Sequence, residues 1–378
     1  MIHSAKLGKL AANAAVILVS LVVAIVMLET AIRIIAPQQL VLLRPDIWQP
    51  TDGLGHRLAA DVDTVINTGE REVRLRTNSQ GYRIGTTGRR EGEIRILAIG
   101  DSYLEALQVE YDQTMTARLA DTLTQTLGVE VEVVNTGVSG YGPSHYLIKA
   151  GQETNRNEYD LLLVFVYLEN DITRFRSNHF PRRQPQSRPL QMPQEISFEA
   201  FVDTIIYPIY VKLRSRSHLV VFLKGRLLRL WTRMGLSRRD FPSTVLLSEA
   251  NSQVWDTTSS ILLDIESHGP TCFLLLPPDY QVDRELGNAY AMGSGIDTTD
   301  VDFGQPSAIL EAKLRPSCVL DLAPALEAAH MEGIKAYGNV DRHLTPTGHE
   351  VVVKALTPFV LQRLRSLVDG HTQTERMR

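Results

Sequence analysis

The chain has 378 residues, 44% of them hydrophobic, a formal net charge of -4 and a pI near 6.2. That length builds a core without disulfide staples, and the mild negative charge excludes the global basic footprint of a nucleic-acid-binding protein. The glycines do not follow G-x-G-x-x-G, and no Walker sequence or zinc-ligand spacing occurs, so no cofactor and no metal are expected.

At the N-terminus, Ala11 to Leu28 ("AANAAVILVSLVVAIVML") is free of charge and follows Lys6 and Lys9. About eighteen to twenty apolar residues are what a bilayer core requires of a helix. A cleaved signal peptide and a retained anchor compete. The run exceeds the usual signal core, and "ETAIRIIAP" rather than a small-x-small cleavage site follows it, which favours an anchor over residues 1–36. Lys6 and Lys9 keep the N-terminus cytoplasmic and send the rest outward, with Arg33 opposing.

Residues 37–92 carry turn signals ("TDGLG", "TNSQGYR") and the alternating run "VRLR", which predict an irregular, β-rich lead-in. From Ile94 a strand–helix rhythm begins. "IRILAIG" has buried-strand character, a helix is expected from about Leu104 to Leu127, and "VEVEVVNTG" is the next strand. A helix from about Pro143 to Asn155 precedes "YDLLLVFVYL", which is apolar without alternation, as when both sheet faces are covered. After an interruption the rhythm resumes with a helix "VWDTTSSILLDIES", strands "TCFLLLPP" and "SCVLDL", and a final helix from about Pro346 to Leu367. The alternation predicts a parallel sheet with helices on both sides, in a domain spanning 93–368 and followed by a disordered tail at 369–378.

The interruption, 172–250, is rich in Lys and Arg interleaved with Phe, Tyr, Leu and Trp231. It is expected to be helical. Either it caps the sheet with a solvated basic face, or residues 212–239 contact an anionic surface. Cys272 and Cys318 fall at similar points of two strands expected side by side. A disulfide and two separate buried thiols both fit that placement.

Ligands of a doubly wound sheet sit at the carboxyl ends of the strands. One strand ends in Gly100-Asp101-Ser102, the next runs into "NTGVSGYG", the third into Glu169-Asn170-Asp171, and "DRHLTPTGH" precedes the last helix. These are the parts of an acyl-transfer site. A serine hydroxyl needs a base to take its proton, histidine has a suitable pKa, and an acceptor such as Asp341 fixes the histidine tautomer. Backbone N–H groups at a glycine and the amide of Asn170 supply donors to an oxyanion. Ser102 could instead serve only as a helix cap. His349 is an alternative base at the start of the final helix. His145 reads as a capping or surface residue, Asp101 as orienting the turn, Asp171 as a cap or ion-pair partner, and Gly137 and Gly142 as backbone devices.

"GDSY", "NTGVSGYG", "END" and "DRHLTPTGH" resemble, in order, the four sequence blocks of the SGNH (GDSL-type) hydrolase superfamily. "RTNSQGYR" resembles the segment preceding the domain in membrane-anchored bacterial members. The resemblance implies a three-layer α/β/α, flavodoxin-like fold with a five-stranded parallel sheet. It implies Ser102 as nucleophile, an oxyanion hole from Ser102, Gly140 and Asn170, and an Asp341–His343 pair. The common pattern places the acid three residues before the histidine, where this chain has Val340. The spacing Asp341-Arg342-His343 is similar to alginate O-acetyltransferase-like proteins and keeps acyl transfer open beside hydrolysis. The expected protein is a single-pass, bacterial inner-membrane serine esterase with a periplasmic or otherwise extracytoplasmic catalytic domain. Its partner would be an acyl-ester substrate on a glycan of the envelope or an exported one. A lipid-ester hydrolase and a non-catalytic envelope scaffold are the alternatives.

Overall fold

The computed structural model describes residues 2–41, 44, 46–85, 93–173, 207–233, 246 and 252–376. The chain divides into two compact units. One comprises residues 1–44, 67–72 and 185–238, the other residues 45–66, 73–184 and 239–378.

The first unit holds α1 (Ile2–Ile35), whose stretch Ala12–Ile35 is long and apolar enough to cross a membrane and is 0% buried by protein. It also holds α6 (Tyr207–Arg214) and α7 (His218–Arg233), the described part of the basic insertion. Both are helical, as expected. Apart from residues 172–173, 215–217 and 246, the rest of the insertion lies outside the described residues.

The second unit opens with hairpins, β1 (Trp48–Thr51) with β2 (Gly55–Leu58) and, but for the terminal residues Asn67 and Glu72, β3 (Asp63–Asn67) with β4 (Glu72–Arg76). The main sheet follows: β5 (Ile94–Ile99), β6 (Val131–Asn135), β7 (Leu161–Tyr167), β8 (Thr271–Leu276) and β9 (Cys318–Asp321), in spatial order β6-β5-β7-β8-β9 and all parallel. The expected α/β class with five parallel strands is what the chain adopts. Alternate residues feed the two faces: Ile96, Ala98, Leu163, Phe165 and Leu274 pack with helices α3 (Met115–Leu127) and α13 (Pro346–Arg376). Leu97, Ile99, Leu162, Val164 and Phe273 are equally buried on the other face. Burial on both faces is why these strands lack alternation. The chain reverses direction across the sheet between β5 and β7, the switch point at which such folds place ligands.

The expected single helix from Leu104 to Leu127 is two helices. Helix α2 (Ser102–Glu105) stops at Ala106, which turns left-handed (φ 53). Residues 107–114 run irregularly, with one 3-10 turn, before α3. The break has a cause on another segment. The buried Arg83 guanidinium donates to the carbonyls of Glu105 (3.1 Å), Ala106 and Val109, which a continuing helix would have kept for its own N–H groups. At the other end, α13 extends past the expected end at Leu367 to Arg376. After the internal Pro358, nothing in that stretch removes another backbone donor.

Candidate active site

The turn that carries Ser102 is assembled from short-range contacts. Asp101 is the N-cap of α2, its Oδ1 accepting the Tyr103 N–H at 2.9 Å, so capping falls to Asp101 and leaves the Ser102 hydroxyl available. From β6, Asn135 Nδ2 donates to Leu104 O at 2.7 Å, and Gly137 N donates to Asn135 Oδ1 at 2.9 Å. Gly137 must be glycine for packing: a Cβ there would stand 2.5 Å from Glu105 N.

His343, 241 residues further along, places Nε2 2.9 Å from Ser102 Oγ. Its Nδ1 lies 3.1 Å from the backbone carbonyl of Asp341, while the nearest Asp341 carboxylate oxygen is 3.9 Å away. That carboxylate accepts the His343 backbone N–H at 3.1 Å. Asp341 therefore differs in geometry from the expected acceptor. Its carbonyl is the hydrogen-bond partner of Nδ1–H, which leaves the Nε2 lone pair facing the serine. Its buried carboxylate acts on the ring through space.

The loop carrying His343 is pinned. Arg342, left-handed at φ 65, makes an ion pair through Nε with Asp279 and donates to the Tyr290 hydroxyl. Its carbonyl accepts Tyr103 OH at 3.1 Å, and the Tyr103 ring lies 4.6 Å from that of His343 and 4.3 Å from that of Tyr167.

The expected oxyanion donors converge on the same edge. Gly140 is left-handed (φ 82) in the loop after β6, and Asn170 opens α5 (Asn170–Thr173) after β7. The Asn170 amide donates to Asp101 Oδ2 at 3.4 Å, a long bond, and its Oδ1 is buried without a hydrogen-bond partner. Two buried carboxyls lie behind it. Burial pushes Asp101 up to about 6 despite hydrogen bonds and the His343 ring. Burial and then the charge of Asp101 push Asp171 well above the usual range, while Asp171 accepts Tyr146 OH and Tyr167 N, each at 2.8 Å.

His349 does not belong to this group. It is buried in α13, accepts the Met115 N–H at 3.3 Å, and burial pushes it down to about 3. His145 stacks on Tyr141 in α4 (Pro143–Thr154), and burial lowers it to about 4. Both are structural, as is Gly142, the N-cap of α4.

Sequence patterns alone missed Glu105. It is buried three residues after Ser102; Oε2 accepts Ser139 N at 3.0 Å and Ser139 Oγ, and Oε1 accepts Trp48 Nε1 at 2.9 Å. Ser139 precedes Gly140, so Glu105 ties the helix that begins at Ser102 to the loop that carries Gly140. His56 Nε2 donates to Ser139 O at 2.7 Å, and Tyr141 OH donates to His56 O at 2.6 Å. The lead-in residues Trp48, His56 and Arg83 are thus part of the site's framework. The signal for Glu105 was an acid on the apolar face that α2 turns inward.

The fold is thus a five-stranded parallel sheet with a Ser–His pair at the carboxyl edge of its switch point. No protein-family model matches the chain, and no curated protein matches it. Solved structures similar to it include a lipolytic G-D-S-L family protein from Veillonella parvula, at 13% identity, 71% of this chain and 97% of that chain covered, and a TM-score of 0.37. A catalytic mutant of an acetylxylan esterase from Geobacillus stearothermophilus is similar at 12% identity, 73% and 96% coverage and a TM-score of 0.39. An α/β hydrolase from the metagenome of Lake Arreo in Spain is similar at 13% identity, 74% and 98% coverage and a TM-score of 0.34.

Proposed function

We propose that this chain is a membrane-anchored, extracytoplasmic SGNH-type serine esterase that cleaves, or passes to a hydroxyl acceptor, small acyl esters such as acetyl groups on an envelope or exported glycan. The observation that carries the chemistry is the 2.9 Å contact between Ser102 Oγ and His343 Nε2 at the switch point of the sheet. Ser102 attacks the ester carbonyl as His343 takes its proton; the N–H groups of Ser102 and Gly140 and the Asn170 amide receive the oxyanion. The Asp341 carboxylate, 3.9 Å from Nδ1, stabilises the imidazolium. His343 then returns the proton to the departing alkoxide. Water, or a sugar hydroxyl activated by the same histidine, releases the acyl group from Ser102.

The location is supported by two features. Ala12–Ile35 suits a membrane span. Cys272 and Cys318 are joined in a disulfide, a bond that persists in oxidising compartments and is rare in the cytosol. The glycan rests on that location and on the family resemblance of the sequence blocks.

The experiment is hydrolysis of p-nitrophenyl acetate, with fluorophosphonate labelling, by wild type, Ser102→Ala and His343→Ala. The expected loss is at least about 10^3-fold in kcat for each variant, with Ser102→Ala unlabelled. Equal turnover by wild type and Ser102→Ala would sink the nucleophile assignment. A wild type that neither turns over nor labels would favour the scaffold alternative.

A further inference from the structure

Helix α7 begins on α1. Glu29 lies within the last two turns of the apolar stretch that ends at Ile35. Its carboxylate is saturated by the start of α7: Oε2 accepts Ser217 Oγ at 2.7 Å and Leu219 N at 2.9 Å, and Oε1 accepts His218 N at 2.9 Å. His218 Nδ1 in turn accepts the Gln38 N–H at 2.7 Å, just beyond α1. A carboxylate in a membrane span is costly unless paired, and the free N–H groups of a helix N-terminus are suitable partners. The clamp fixes the first turn of a basic helix at the exit of the apolar one.

From that point α6 and α7 each present an apolar pair at i,i+4 spacing. Ile209 and Leu213 are 54% and 50% exposed, and Leu223 and Leu227 are 52% and 58% exposed. No described residue covers them. A helix face of this kind ordinarily turns toward a core. Here exposed cations border it: Lys212 beside Leu213, and Lys224 and Arg226 on the two sides of the Leu223–Leu227 stripe. Lys224 Nζ also lies 5.5 Å above the Tyr210 ring, linking α7 to α6. Apolar stripes edged by cations, tied to the end of a membrane-length helix, match the interfacial layer of an anionic bilayer.

We propose that α6 and α7 lie in the headgroup layer of an anionic membrane. Ile209, Leu213, Leu223 and Leu227 enter the acyl boundary, while Lys212, Lys224 and Arg226 meet lipid phosphates. The proposal rests on the reading of α1 as a membrane anchor. It adds a second attachment, which holds this part of the insertion flat on the lipid instead of free above it.

No free cysteine exists among the described residues, so single cysteines can be introduced and labelled with bimane in the full chain. The variants are Leu21→Cys, Leu213→Cys, Leu223→Cys and Leu227→Cys, with Glu332→Cys as the solvent control. They are reconstituted into phosphatidylcholine–phosphatidylglycerol vesicles containing lipids brominated at shallow or deep acyl positions. The expected result is quenching of the label at 21 by deep bromines, quenching at 213, 223 and 227 by shallow bromines, and none at 332. Glu29→Ala should abolish quenching at 223 and leave that at 21.

Quenching at 21 without any at 213, 223 and 227 would overturn the interfacial placement and leave the anchor standing. Absence of quenching at 21 as well would overturn the anchor and the proposal with it. Labels at 223 and 227 that are shielded from aqueous iodide but untouched by bromolipid, increasingly so at higher protein-to-lipid ratio, would assign the face to a second copy and overturn the lipid. Equal shallow quenching in pure phosphatidylcholine would overturn the part given to Lys212, Lys224 and Arg226.

Discussion

Glu105 gathers donors from Trp48 and Ser139, yet burial outweighs them and the nearby Arg83 charge, and its carboxyl is pushed up to about 7 from 4.5. The unfolded chain releases this proton near 4.5, whereas the folded chain holds it to about 7. Between those values the folded state binds more protons, so stability falls as pH rises, by about 3 kcal/mol across the window. Asp101 acts with the same sign between 3.8 and about 6. Glu105→Gln removes the larger part of this slope. Thermal midpoints recorded from pH 4.5 to 7.5 are therefore expected to be flatter in the variant than in wild type. An unchanged slope would remove Glu105 from the titration. Such residues were not legible in the sequence, because Trp48, Arg83 and Ser139 meet Glu105 through tertiary contacts that leave no periodic trace. Ser102, Asn170 and His343 were legible, because each follows or precedes a strongly patterned element at a fixed offset. The geometry of Asp341 was not: a two-residue spacing does not say whether the carboxylate or the carbonyl reaches the ring.

Among the elements, the five strands could be read because burial on both faces leaves unbroken apolar runs such as Leu161–Val166. The break at Ala106 could not be read, since the carbonyls that end α2 are claimed by Arg83 from the lead-in. The pairing of Cys272 with Cys318 lay between these cases. Their strands were expected to be neighbours, but only the register, with the two residues directly opposed and Cα atoms 4.6 Å apart, turns neighbourhood into a bond. It fastens β9, at the sheet edge, to β8. For a separation of 46 residues, chain entropy alone gives about 4 kcal/mol. Cys272→Ser with Cys318→Ser should lower stability by about that amount in a urea titration. Ester turnover in the absence of denaturant should persist, because the bond lies at the amino ends of the strands and Ser102 at the carboxyl ends. A variant as stable as wild type would show that the bond contributes nothing.

At the scale of the whole molecule, residues 45–66 and 73–85 join the unit that carries Ser102 and His343 and do not form a spacer. Trp48, His56, Tyr82 and Arg83 all bond into it. A fragment of residues 93–376 should therefore lose most of the activity and stability that a fragment of 45–376 retains, as read by p-nitrophenyl acetate turnover and thermal midpoint. Equal behaviour of the two fragments would reduce the lead-in to a tether. The long separation of Ser102 and His343 also bears on timing. A chain made from its N-terminus forms the apolar helix, then the lead-in, then the turn of Ser102, and brings His343 to it 241 residues later. Until His343 has emerged, the Ser102 hydroxyl has no histidine beside it. Under the proposed function, a chain delivered outward as it is made would thus be silent on the side where it is synthesised, and would gain its activity only after the last strand and the start of α13 have crossed.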